Sequence, residues 1–463
     1  MEKKLSKYVL VVLYLLFVLT GVLFVINDYR ISLFMPLSPI IYTICFLIVY
    51  RKRRKAFNSV VVVIIYTMFF LRMVIVPVIY VASGYTSVIR TASGVQYLNE
   101  AVMLVGFEFI CVTLFILSSK KIIDITSYSI VTDIDGDIKI KKYVKTIIVI
   151  LISIGIICIL LDKSVLVIVS TVFNRFTDTE QMNIKNRQML IEVKEKSSIV
   201  FNLFIQVVFY LQILIPAYVI SYVTRKRREQ KNKGFILGLL VAFSSVMIVT
   251  NDNMNSVCIM LACLLVMFSV YEKKMAKVLP IIATIVVVFV FLFLLKKVGY
   301  NNGKTSFSDI SKVLCAYFAA YPNVSTGFAV QYNDKIASFC GDIVSGIPYM
   351  MVFFPGFPKS VALYNIAVHG YSGIVNQIMP LISYGYQYLG IFAPLFTIIV
   401  YNMALCLEEK YRKTDKTFNR MLYALMFINF AIGPCIFGFP NTIKRVCYFI
   451  PLLLLIKINK DRN

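Results

Sequence analysis

Apolar runs of membrane-spanning length recur along this chain from one end to the other. Wound as a helix at 1.5 Å per residue, such a run crosses a hydrocarbon layer about 30 Å thick. No water reaches the backbone N–H and C=O groups there, so each spanning segment must satisfy them internally. The chain is therefore expected to be an all-α, polytopic membrane protein. Twelve runs are candidates, at 8–26, 31–50, 58–82, 101–118, 143–162, 199–222, 235–250, 254–271, 278–295, 378–407, 421–438 and 446–458, the last being short. Only "NDN" separates the seventh from the eighth, so these two form either a tight hairpin or a re-entrant pair. Composition agrees: 59% of residues are hydrophobic and 15% charged, against about half and a quarter in soluble domains. Without the spans no soluble domain of ordinary size remains, and 1–463 reads as one membrane domain. The first run follows "MEKKLSK", exceeds a signal-peptide core and lacks a small-residue cleavage site, so it reads as a retained span.

The formal charge of +25 would suggest nucleic acid in a soluble protein. Here the densest basic runs, "RKRRK" at 51–55 and "TRKRREQKNK" at 224–233, each lie directly between two apolar runs. Cytoplasmic loops carry this excess of Lys and Arg. The alternation places both termini in the cytoplasm and argues against nucleic acid as a partner.

On that orientation two outer segments are long, 163–198 and 296–377. The second falls between the ninth and tenth spans. Its stretches "DISKVLCAYFAAYPNVSTGFAVQ" and "GDIVSGIPYMMVFFPGF" have helical apolar periodicity broken by Gly and Pro. They predict short interfacial helices lying on or dipping into the outer membrane face. The segment 163–198 reads similarly, an apolar half followed by a charged half.

Arg72 and Glu108 are the clear mid-span charges. Arg72 lies about 15 Å from the outer end of its span and Glu108 about 11 Å from the outer start of the next, so the two can meet. Two readings are open: a buried ion pair holding a hairpin together, or a cation for an anionic headgroup with Glu108 orienting it. Arg90, Arg175, Arg187, Lys359 and Arg445 are outer-side cations, suited to phosphate or to interfacial anchoring. "TDIDGDIKI" at 132–140 contains a DxD pair, Asp133 and Asp135, but it lies on the cytoplasmic side and lacks the ligand spacing of a calcium loop. It reads as a solvated acidic turn. His369 is the only histidine in the chain. Its position beside Gly370, near the outer face, fits either a general base or a structural or substrate-binding role. The ten cysteines form no CxxC pair and no Cys/His cluster, which leaves no metal site in view. Cys315 and Cys340 lie in the outer segment, as a disulfide or as free thiols.

The stretches "YFAAYPNVSTGFA", "IPYMMVFFPGFPKS" and "HGYSGIVNQIMPLISYGYQYLGIFAPL", all within 313–395, resemble the large outer loop of the Wzy-type polymerases of bacterial O-antigen and capsule, and of the related O-antigen ligases. The closing stretch carries Leu389-Gly390-Ile391-Phe392-Ala393, where the chain re-enters the membrane. Relatives often carry an acidic residue about six positions before that glycine, where this chain has Tyr384. The resemblance implies a metal- and cofactor-independent glycosyltransferase in the bacterial cytoplasmic membrane. It would move a growing glycan from undecaprenyl pyrophosphate to a lipid-linked repeat unit, with a flippase and a chain-length regulator as partners. It also implies His369 as base; Arg72, Arg90, Arg175, Arg187 and Lys359 are candidates for the pyrophosphate or sugar by their charge and position. An O-antigen ligase and a lipid-linked oligosaccharide flippase are the competing functions. Two similar halves would favour the flippase, and none are visible.

Overall fold

A computed structural model describes residues 34–84, 96–127, 142–168, 199–225, 231–249, 253–272, 307–354, 356–369 and 378–460, with a few isolated positions besides. The expected spans 8–26 and 278–295 lie almost wholly outside these residues, as do Arg90, Arg175, Arg187 and the Asp133–Asp135 pair. The described chain is helical apart from one two-residue antiparallel bridge. Six of its helices are long and apolar enough to cross a membrane, and a bent pair adds a seventh candidate. The chain divides into two compact units.

The first unit comprises Met1–Ser127, Asn301–Cys406 and Phe430–Leu454. Its amino-terminal part holds α1 (Leu37–Lys52), α2 (Val60–Ala82), α3 (Leu98–Ser118) and α4 (Lys120–Ser127). Ser59 caps α2 by accepting from the Val62 N–H at 3.3 Å. Midway, at Leu71–Ile75, α2 loosens into a π-turn. Pro77 has no N–H to offer the carbonyl of Met73, four residues earlier. The Ser38 hydroxyl of α1 donates to that carbonyl instead, at 2.6 Å. The local defect thus locks α1 to α2.

The long loop, expected as a cap of short helices, is largely helical where described. It forms α9 (Phe307–Tyr317), α10 (Tyr321–Phe328), α11 (Lys335–Gly346) and α12 (Ser360–His369). Helix α9 packs against the end of α2, and α10 packs against α3. Every residue of α10 from Tyr321 to Gly327 is buried. Its Ser, Thr and Asn side chains and its N-terminal Pro suit close helix contacts that a lipid-facing helix does not make.

The expected tenth span, 378–407, is two helices. Helix α13 (Leu381–Leu389) and α14 (Pro394–Lys413) meet at 114°. Gly390 ends α13 with φ +58°, a left-handed backbone that a side chain resists, and Pro394 starts α14. The expected short last span is in fact part of a full-length helix, α16 (Phe439–Lys460).

The second unit comprises Tyr128–Tyr300, Leu407–Asn429 and Leu455–Asn463. It contains α5 (Lys142–Leu161), α6 (Ile199–Arg225), α7 (Lys231–Met247) and α8 (Asn253–Val270). Helices α7 and α8 pack together, and Ile248–Val249 between them pairs with Ser170–Thr171. In α5 only 17% of the most apolar window is buried, and Val149, Ile156, Leu160 and Leu161 stand exposed. Such a surface demands an apolar solvent, which a bilayer supplies. Helix α15 (Thr417–Ile436), by contrast, is almost wholly buried.

Candidate functional site

Two polar constellations in the first unit stand out against its apolar surroundings. The deeper one is built on the π-turn of α2. Arg72 and Glu108 are both wholly buried and form an ion pair, Nη1 to Oε2, at 3.0 Å. The other carboxylate oxygen of Glu108 accepts from the Thr397 hydroxyl of α14 at 2.5 Å. The Nε of Arg72 donates to the carbonyl of Ala319 at 3.1 Å. Ala319 holds φ +45°, rare for a residue with a side chain, between α9 and α10. That strained turn aims its carbonyl at the guanidinium. The Tyr321 hydroxyl, two residues on, hydrogen-bonds Ser38. Arg72 lies ten residues before the end of α2, so the Ala319 turn reaches about 15 Å below that end. The ion pair is common to both readings of Arg72: it ties α2 to α3, and it orients a guanidinium whose Nη2 has no hydrogen-bond partner among the described residues.

The second constellation centres on Asp342, which sequence reasoning passed over. Its carboxylate is fully buried in α11. One oxygen accepts from the Ser360 N–H at 3.0 Å. The other accepts from the Ser360 hydroxyl at 2.5 Å and from the Tyr388 hydroxyl at 2.5 Å. Ser360 begins α12, so the carboxylate sits where a helix favours negative charge. Gly341 makes the approach possible: a Cβ there would lie 2.0 Å from the carbonyl of Pro358. Burial raises the Asp342 carboxyl above its ordinary value, and the hydrogen bonds from Ser360 and Tyr388 pull in the opposite direction. Tyr332 stands close by, its phenol pushed up to about 12 by burial, and so remains a donor at neutral pH. The Tyr384 hydroxyl is also buried nearby and has no hydrogen-bond partner among the described residues. Aromatic rings wall the group, with Tyr332 and Phe339 at 6.0 and 4.9 Å from Tyr388.

His369 closes the helix that Asp342 opens. Its backbone lies about 13 Å along α12 from Ser360, and its side chain is outside the described residues. Lys359, just before α12, is exposed. Arg445 is buried with its guanidinium 4.9 Å from the Phe437 ring centre. Cys315 and Cys340 are free thiols. Among the described residues no three His, Cys, Asp or Glu side chains come together as metal ligands. One signal for Asp342 was available in the sequence: it follows Gly341 in an apolar helical stretch, where a charge needs a reason. Its partners, 18 and 46 residues away, left no such trace.

The three stretches that carry the family resemblance meet here. Tyr364 of α12, which links the second stretch to the third, donates to the carbonyl of Asn323 in the first at 3.0 Å. Gln387 donates to the carbonyl of Gly327 at 2.7 Å. Asp342 joins Ser360 of the second stretch to Tyr388 of the third by accepting from both hydroxyls. No protein-family model, no curated protein and no solved structure matches the chain.

Proposed function

We propose that the chain is an oligosaccharide repeat-unit polymerase, a glycosyltransferase of the bacterial cytoplasmic membrane with about twelve spans and both termini inside. It moves a growing glycan from undecaprenyl pyrophosphate to a hydroxyl of the next lipid-linked repeat unit. The observation that carries this reading is the convergence just described: the stretches within 313–395 that resemble the polymerase loop are joined into one polar core by hydrogen bonds through Asp342, Tyr364 and Gln387. A loop that merely connected two spans would have no need of a buried carboxylate, four tyrosines and a strained turn.

In the proposed reaction the acceptor oxygen bonds to the anomeric carbon while the bond from that carbon to pyrophosphate breaks. The pyrophosphate leaves with the electron pair, and the acceptor proton passes to His369. Pyrophosphate is already a good leaving group, so the demands on the protein are cations near the leaving oxygens, a base and orientation. Lys359 is the described cation nearest His369 in sequence and on the exposed side of α12. Asp342 serves as a positioning residue that fixes the first turn of that helix.

The test is the glycan made by cells carrying His369→Ala. Single repeat units without a long ladder are expected, at normal protein abundance. A full ladder would remove His369 from the mechanism. Purified protein given lipid-linked repeat units alone should form polymer. Product formed only after a lipid-anchored core sugar is added would make the enzyme a ligase instead.

A further inference from the structure

The densest basic run of the chain, Arg51 to Lys55, ends α1 and turns into α2. This turn and the amphipathic helix α4 enclose an open cavity of about 320 Å³. One wall is cationic, formed by Lys52, Arg53, Arg54 and Lys55. Helix α4 contributes Ile122, Ile123 and Thr126, and none of the lining residues is acidic. Arg53 holds the cationic wall in place. Its guanidinium donates to the carbonyls of Ile116, Leu117 and Ser119 at 2.5, 2.6 and 2.6 Å. Those carbonyls end α3 and lack partners within the helix. Lys52, Arg54 and Lys55 are exposed at the opening, Arg54 with its guanidinium 5.6 Å from the Tyr50 ring centre, and Ile123 is 57% exposed beside it.

Basic loops that serve only to orient a membrane protein need charge alone. They need neither a formed cavity nor an apolar side chain beside it. A ligand for this cavity must carry negative charge at one end and hydrocarbon directly beside it. The cavity also lies where apolar helices end, at a membrane boundary. We propose that it binds the phosphate head group of an anionic phospholipid, with the first acyl carbons against the exposed Ile123. The positive-inside reading assigns that lipid to the cytoplasmic leaflet. This site is independent of the glycan chemistry proposed above.

The experiment uses the full-length protein in neutral detergent, with native mass spectrometry to count bound phosphatidylglycerol, phosphatidylcholine or inorganic phosphate. Wild-type protein should retain phosphatidylglycerol in preference to phosphatidylcholine. Each exposed cation at an anionic head group contributes up to about fivefold in binding. Lys52→Gln/Arg54→Gln/Lys55→Gln should therefore weaken phosphatidylglycerol at least about tenfold. The control Lys226→Gln/Arg227→Gln/Arg228→Gln removes equal charge elsewhere and should weaken it less than about threefold. Ile123→Ser should weaken the lipid and leave phosphate unchanged. Equal losses in the two triple variants would overturn the proposal in favour of general charge attraction. Phosphate bound as tightly as the lipid, and indifferent to Ile123→Ser, would overturn it in favour of a free-anion site. Should the cavity triple variant fail to fold, Lys55→Gln alone, with about a threefold loss expected and none overturning the proposal, replaces it.

Discussion

Replacing Arg72 by alanine strips Glu108 of its ion pair at 3.0 Å and Ala319 of its donor at 3.1 Å. Thr397 is then the remaining partner of a wholly buried carboxylate, through one bond of 2.5 Å. Neutral hydrogen bonds between membrane helices average only about 0.6 kcal/mol. A stranded buried charge is a different case and costs about 3–5 kcal/mol. The second effect decides the outcome, so Arg72→Ala should lose about two to three and a half orders of magnitude in the folded-to-unfolded ratio. Arg72→Lys keeps the charge and should lose less. Arg72→Leu/Glu108→Leu removes both charges and should recover most of the loss, because a hydrophobic pair often replaces a buried ion pair without net cost. Thermal unfolding of purified protein and its abundance in membranes measure stability, and glycan length is scored separately. The reasoning is refuted if the double variant is no more stable than Arg72→Ala. It is refuted equally if Arg72→Ala keeps full stability and loses only glycan.

Asp342 makes stability depend on pH in a definite direction. Its folded carboxyl titrates above the ordinary aspartate value of 3.8, so the folded state binds the proton more tightly than the unfolded one. The contribution is complete below that ordinary value and is lost as pH rises through the raised one. The melting temperature of the wild type should therefore fall across this window relative to Asp342→Asn, and parallel curves would contradict the assignment. Asp342→Ala leaves two Ser360 donors and the Tyr388 hydroxyl without their acceptor and should cost about 3 kcal/mol, read from denaturation in detergent. Gly341→Ala sets a methyl group against the Pro358 carbonyl, should cost about 1–3 kcal/mol, and should shorten the glycan ladder by separating α11 from the start of α12. An unchanged ladder would mean that this joint does not position the reacting groups.

The sequence by itself determined the solvent and the secondary structure of this protein. Apolar runs of span length admit only helices in a bilayer, because backbone groups there have no water to bind. Most described helix boundaries lie within a few residues of those read from the hydropathy, and the meeting of Arg72 with Glu108 follows from the helix rise. Tertiary structure alone decided three things. The 114° bend at Gly390 was hidden because Gly390 and Pro394 are tolerated in a straight span as well as in a bent pair, and packing decides between them. The burial of α10 was hidden because its helical periodicity suits a helix on a membrane face as well as one enclosed by neighbouring helices. The role of Asp342 depends on partners 18 and 46 residues away, and hydropathy averages over neighbours in sequence, whereas a carboxylate answers to neighbours in space.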